Sequence, residues 1–268
     1  SKMNKITYRF KKKIGILIIA RSSSKRLKNK IQSSIGNYSL LEILILRLIK
    51  KFDKNNIVLC TSTKDKKNFF FKKITKKYKI KIFYGSDLNI FSRIVKCSER
   101  YNFKHIVRIT GDNPFTDLSN LNNLLIKYSK KDNDYGFMIG VPDGLKSEIF
   151  KVSTLKYCEK NAEDKNSSEY LTYFLLRKYF KICSYKKNNY TKIFKKLTFT
   201  VDYKKDLYRL NKILSFNKNN IFLEEKKLIQ TALKLNFKKK IKQNKIINLK
   251  TKFYNVRLNT DPKKVKQI

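Results

Sequence analysis

Residues 14–30 read IGILIIARSSSKRLKNK, an apolar run that stops at Ala20 and opens into a hydroxyl-rich cationic loop. Arg21, Lys25, Arg26, Lys28 and Lys30 are crowded into it, with Ser22, Ser23 and Ser24 between them. Guanidinium forks, ammonium groups, hydroxyls and backbone N–H groups beyond the carboxyl end of a buried strand are the donors that a triphosphate needs. The same loop is compatible with a solvated basic turn, and it has none of the glycines of a Walker A sequence.

Carboxylates are scarce in this chain, and two of them end apolar runs. In Arg108-Ile-Thr-Gly-Asp112-Asn-Pro114 an acid stands at the tip of a strand, behind Thr110 and a Gly111 that permits close backbone approach. Leu197-Thr-Phe-Thr-Val-Asp202 ends the same way. Asp112 and Asp202 together suit Mg²⁺, which takes one or two carboxylates and completes its shell with substrate phosphates. Asp112 could equally cap the following helix, although Asp117 is the better cap candidate. A turn, Pro142-Asp-Gly, leads into an extended segment carrying Glu148.

These residues need a scaffold that brings strand ends together. Residues 14–20, 56–61, 79–84 and 105–110 read as short buried strands, and 40–52, 65–78, 89–101 and 118–128 carry apolar residues at helical spacing. Strand and helix in alternation predict an α/β fold with a doubly wound, mostly parallel sheet covered on both faces. Further on, 135–139, 180–185 and 196–201 read as strands, and 154–161, 168–179, 205–214 and 223–235 as helices. One domain over 1–235 is expected. The Lys/Asn-rich tail, 236–268, reads as an appendage without clear periodicity, or as a partly disordered segment.

The formal charge is +44, with 64 Lys and Arg against 20 Asp and Glu. Lysine is spread along nearly the whole chain beside Asn, Ile, Phe and Tyr, which is the skew of an AT-rich coding sequence. A nucleic-acid binder would concentrate the charge in a patch, so no specific nucleic-acid partner is expected. Cys60, Cys97, Cys158 and Cys183 are widely spaced and His105 is the only histidine, a pattern of buried reduced thiols rather than a zinc site. No run has the length of a membrane span, and residues 14–20 lead into basic residues rather than a cleavage site. A cytoplasmic location is expected.

In this order the segments resemble the cytidylyltransferase family of the spore-coat polysaccharide biosynthesis type, related to the CMP-sialic acid and CMP-3-deoxy-manno-octulosonate synthetases. The opening signature resembles IIARSSSKRLKNK, the family's "ATS" resembles Cys60-Thr61-Ser62, and "GS..D.L.R" is similar to Gly85-Ser86-Asp87 through Arg93. "VRxTGDxP" corresponds to residues 107–114, "PxGxxxExF" to 142–150, and "TVD…DL" to Thr200-Val201-Asp202 with Asp206-Leu207. The resemblance implies a Rossmann-like nucleotide-diphospho-sugar transferase fold. It also implies a Mg²⁺-dependent transfer of CMP from CTP to the hydroxyl of an acidic sugar, with release of pyrophosphate, for surface polysaccharide or glycan synthesis.

By the same resemblance Ala20, Arg21, Ser22, Ser24, Arg26, Lys30, Thr61, Ser62, Arg93, Thr110 and Gly111 bind the nucleotide. Arg21, Lys30 and Asp112 are the catalytic set, Asp112 and Asp202 hold Mg²⁺, and Glu148, Glu169 and Tyr170 face the sugar. A homodimer formed around residues 140–185 is implied too. The chain departs from the family where Ser23, Lys28 and Asn29 replace the loop's usual Gly and Pro, and where Tyr170 replaces the usual His of "EHvT". The rival readings are a nucleotidyltransferase with another nucleotide or sugar, and a basic binding protein with a decayed site.

Overall fold

The computed structural model describes residues 14–24, 26–161, 180–186, 194 and 196–237, together with the backbone of 246–250 and 255–259. Strand β1 (Ile14–Ile19) is buried along its whole length, because both of its faces are covered. The minor strands β2 (Ser34–Ile35) and β3 (Tyr38–Ser39) pair with each other ahead of helix α1 (Leu40–Ile49). Ser39 caps α1 through a capping box, its hydroxyl accepting from the Glu42 N–H while Glu42 accepts from the Ser39 N–H.

Then follow β4 (Ile57–Ser62), α2 (Phe69–Tyr78), β5 (Lys81–Gly85), α3 (Ile90–Arg100), β6 (His105–Thr110) and α4 (Leu118–Tyr128). The later elements are β7 (Tyr135–Ile139), β8 (Glu148–Lys151), α5 (Val152–Asn161), β9 (Ile182–Lys186), α6 (Lys204–Phe216) and α7 (Glu225–Lys234).

The main sheet runs in the order β5-β4-β1-β6-β8-β7-β9, and every neighbouring pair is parallel except the two that β8 makes. This is the expected doubly wound, Rossmann-like arrangement. The chain steps from β1 to β4 on one side and returns to β6 on the other, so the switch in direction lies between β1 and β6, where such sheets bind ligands. The period of two along the strands sorts the core. Ile16, Ile18, Leu59, Val107 and Ile109 pack under α1, α2, α4, α6 and α7. Leu17, Ile19, Val58, Cys60 and Ile106 pack under α3 and α5. Gly15 leaves room for the Phe103 ring, which would lie 2.3 Å from a Cβ there.

Several expectations are corrected. Residues 148–151 form an antiparallel strand between β6 and β7, where only an extended segment was expected; Glu148 pairs with Arg108 and Phe137 across it. Residues 196–201 join no sheet and make one isolated bridge, Asp143 to Thr198. The helix expected over 65–78 begins at Phe69, after a 3₁₀ turn (Thr63–Lys67), because the Asp65 carboxylate is engaged elsewhere and Asn68 supplies the cap. In the tail, β10 (Ile246–Lys250) and β11 (Asn255–Asn259) pair as an antiparallel sheet of their own, which the absence of clear periodicity did not suggest. The helix expected over 168–179 lies outside the described residues.

No described helix is long and apolar enough to cross a membrane. All four cysteines are buried free thiols, and burial pushes the Cys158 thiol up to about 12. His105, at the start of β6, has its Nδ1 3.0 Å from the Tyr128 hydroxyl, at the end of the strand opposite the loop cluster.

One buried cation ties the helical layer together. Arg47 of α1 donates to the carbonyls of Ile221 (2.8 Å), Leu223 (3.0 Å) and Thr116 (3.3 Å), and its guanidinium lies 5.5 Å from the Phe115 ring centre. Burial lowers its pKa to about 10, against the pull of Asp117, which leaves it cationic at neutral pH. Arg47→Met strands these carbonyls at a cost of about 3 kcal/mol. The expected readout is a melting temperature lower by roughly 6–10 °C in calorimetry; a change under about 2 °C would contradict it.

Candidate active site

The parallel register sets the strand ends side by side. Ile19 pairs with Cys60 on one flank and Thr110 on the other, and Ser62 pairs with Gly85. The Gly111 N–H donates to the Ile19 carbonyl at 2.9 Å, and a Cβ on Gly111 would sit 2.8 Å from that of Ala20. Glycine is therefore required for the two loops to meet at the switch point.

Asp65 organises the first loop, a role the sequence reading did not assign. It is 3% exposed and accepts from the Ser22 N–H at 3.3 Å, from the Ser22 hydroxyl and from the Thr61 hydroxyl. Arg21 is exposed at the mouth of the loop, while Ser24 accepts from the Leu27 N–H at 3.5 Å and closes a turn. Asn29 has φ +54°, ψ +28°. It thus takes the left-handed conformation that a loop glycine would supply, and Asn tolerates that region better than most residues. Thr61 and Ser62 are buried below the loop. Their hydroxyls serve Asp65, the Lys64 N–H and Asp87, so they shape the site through carboxylates.

At the loop's far end Asp112, just past the tip of β6, and Asp202, at the end of the extended segment 196–201, converge. The Lys30 ammonium donates to Asp112 Oδ2 at 2.6 Å and to Asp202 Oδ1 at 3.3 Å, and Arg26 pairs with the same Asp202 oxygen at 2.9 Å. The backbone explains how distant residues meet there. The Val201 N–H donates to the Asp112 carbonyl (3.0 Å), and the Phe199 N–H to that of Asp143 (2.7 Å). The Pro142-Asp-Gly turn makes this fit possible. Gly144 has φ +86°, and a Cβ on it would fall 2.1 Å from the Thr200 nitrogen. Asp206 then fixes Asp202 from behind, one carboxylate oxygen accepting the N–H groups of Asp202 and Tyr203 at 2.9 Å while the other pairs with Arg209. In the sequence Asp206 stood out only through the "TVD…DL" resemblance, which gives no sign that its carboxylate holds the Asp202 backbone.

Among the described residues no group of three or more His, Cys, Asp or Glu side chains forms a metal cage. Two carboxylates sharing one cation do fit a hard divalent ion of the Mg²⁺ type, whose remaining ligands are waters and phosphate oxygens. Asp117 is the α4 cap, accepting from the N–H groups of Ser119 and Asn120, which leaves Asp112 to the site.

Beside the ends of β4 and β5 lie buried polar atoms without a hydrogen-bond partner among the described residues. Arg93 is 2% exposed, its stem packed against Gly85, and its Nε and one terminal nitrogen find no acceptor. The Tyr84 hydroxyl and one oxygen of Asp87 are in the same position. Burial lowers the Arg93 pKa, partly offset by Cys60 nearby, while Lys64 and the Ser62 hydroxyl lower that of Asp87 against its desolvation. Unpaired buried polar groups are costly, and a polar ligand in this corner would relieve that cost.

Glu148 sits elsewhere on the sheet. Its carboxylate pairs with Arg108 and accepts from the Tyr135 hydroxyl, with the Arg108 guanidinium 5.6 Å from the Phe150 ring centre. Arg108 and Thr110 are two apart on β6 and share a face, so this polar strip leads toward the Thr110-Gly111-Asp112 tip. Glu169 and Tyr170 lie outside the described residues.

Comparison with known proteins identifies the family. A protein of Methanocaldococcus jannaschii with no assigned function is 36% identical over 163 residues, 60% of this chain and 66% of that protein. The Bacillus subtilis spore coat polysaccharide biosynthesis protein SpsF is 30% identical over 146 residues, 53% of this chain and 60% of SpsF. The chain thus spans less than two thirds of the length of each curated relative. A cytidylyltransferase structure from Leptospira borgpetersenii is 25% identical with a TM-score of 0.75, covering 84% of this chain and 95% of that one. The family model for cytidylyltransferases matches residues 15–253, which take in the basic loop, Asp112 and Asp202, and the chain belongs to the cytidylyltransferase family.

Proposed function

We propose that this protein transfers CMP from CTP to a hydroxyl of an acidic sugar, releasing pyrophosphate, in the synthesis of a surface polysaccharide or glycan. The observation that carries the reading is the convergence of Asp112 and Asp202 on Lys30 at the open end of a cationic loop. Family membership supports the nucleotide, and the name of SpsF supports the polysaccharide setting.

Arg21, Arg26 and Lys30 would hold the triphosphate, with the Ser22 backbone kept in place by Asp65. Arg93 would meet the base or ribose with its unpaired donors. Asp112 and Asp202 would hold Mg²⁺, which when bound neutralises phosphate charge and acidifies an acceptor hydroxyl. The acceptor oxygen attacks the α-phosphorus in line, the bond to the bridging oxygen breaks, pyrophosphate leaves, and the hydroxyl proton passes to solvent. These side chains supply position and charge rather than a covalent nucleophile. The Arg108–Glu148–Tyr135 strip is the acceptor side in this reading, and Glu169 and Tyr170 remain candidates there. A homodimer and a cytoplasmic setting belong to the same proposal.

The test is pyrophosphate release with CTP, Mg²⁺ and a panel of acidic sugars, with UTP, GTP and ATP as alternative donors. CTP-dependent release with an acidic sugar is expected. Turnover confined to another nucleotide, or salt-sensitive polyanion binding with no turnover, would overturn the reading.

A further inference from the structure

We propose that Lys30 occupies the divalent-ion position in the nucleotide-free protein and is drawn off it by the triphosphate, so that metal and nucleotide raise each other's affinity. The proposal rests on reading Asp112 and Asp202 as the metal ligands.

Two neighbouring carboxylates repel unless a cation lies between them. Here that cation belongs to the protein: the Lys30 ammonium bridges oxygens of both aspartates, with its side chain only 12% exposed. A divalent ion bound to these carboxylates needs oxygens at about 2.1 Å. An ion at that distance from Asp112 Oδ2 and Asp202 Oδ1 would take the two oxygens that the ammonium contacts at 2.6 and 3.3 Å. Metal and ammonium therefore compete for the same carboxylate oxygens and repel each other as like charges.

The side chain suits an exchange. Lysine carries its charge on a flexible stem with rotatable donors, and Lys30 opens a short 3₁₀ turn (Lys30–Gln32) at the edge of the cationic loop. Arg26 leans on the same Asp202 oxygen, so the carboxylates hold both basic groups away from the place where phosphates would dock. Without nucleotide, an incoming ion must displace these cations and finds only two protein carboxylates. With nucleotide, the cations move to phosphate oxygens, which also complete the metal shell. Coupling of this kind is reciprocal.

The experiment measures Mn²⁺ binding to the full chain by loss of the free-ion EPR signal, with no nucleotide present. Wild type should bind weakly. Lys30→Gln should bind Mn²⁺ about tenfold more tightly, and should lose most of the enhancement that CTP gives the wild type. Lys30→Met, which keeps the stem, should shift in the same direction, and Lys30→Arg should stay weak. If Lys30 only binds phosphate, Lys30→Gln will leave nucleotide-free Mn²⁺ affinity unchanged or lower, and the proposal fails. The double variant Lys30→Gln/Asp112→Asn separates the two layers. The gain should vanish in it; a gain that survives would show that Asp112 does not hold the ion, which defeats the metal assignment itself.

Discussion

Asp112→Asn should lower CMP transfer by about 10³-fold while leaving the protein folded. The magnitude follows from removing one fixed charge from a site that works by charge placement, where loss of a single preorganised group costs about 10²–10³ and loss of a metal ligand more. Stability should change little. The Asp112–Lys30 pair is partly exposed, and Lys30 keeps Asp202 as a partner. The KM for CTP should move less than kcat, since in the proposed complex Arg21 and Arg26 would still face the triphosphate. Pyrophosphate release beside a melting curve checks both statements. Activity within tenfold of wild type would remove Asp112 from the chemistry.

The second large effect is expected at Asp65, which touches neither phosphate nor metal in the proposed complex. Asp65→Ala leaves the Ser22 N–H, the Ser22 hydroxyl and the Thr61 hydroxyl without their acceptor in a buried setting. Lost hydrogen bonds to a buried charge put the cost at about 2–4 kcal/mol. The loop then loses the anchor that aims its backbone, so the KM for CTP should rise about tenfold. A destabilised variant with unchanged KM would make Asp65 purely structural. Asp65→Asn should fall between, because one side-chain oxygen still accepts while the charge is gone.

These two residues differ in how far the sequence exposed them. Asp112 stood just past a short β-branched run, 105–110, behind Thr110 and Gly111, and a carboxylate at a strand tip is a local pattern. Asp65 lies in a Lys-rich stretch, Thr63-Lys-Asp-Lys-Lys, and looks like the start of a surface helix. Nothing local tells that its carboxylate turns inward to Ser22, 43 positions earlier in the chain. The Lys30 bridge is of the same kind: each partner was singled out separately, but as a phosphate ligand on one side and metal ligands on the other.

The amino-acid sequence by itself determined the strand and helix alternation through β6, the parallel sheet, the basic loop, the acid at the tip of β6 and the cap at Asp117. Each rests on short-range periodicity, or on a residue type at the end of a run, and such signals survive in one dimension. The tertiary structure alone decided that β8 enters antiparallel, that residues 196–201 lie against a turn rather than in the sheet, and that Asp65 and Asp206 hold the loops of the candidate site from behind. Those outcomes depend on which backbone groups find partners far away in the chain. The position between Asp112 and Asp202 was likewise settled only by folding, which placed a lysine where the sequence suggested a metal.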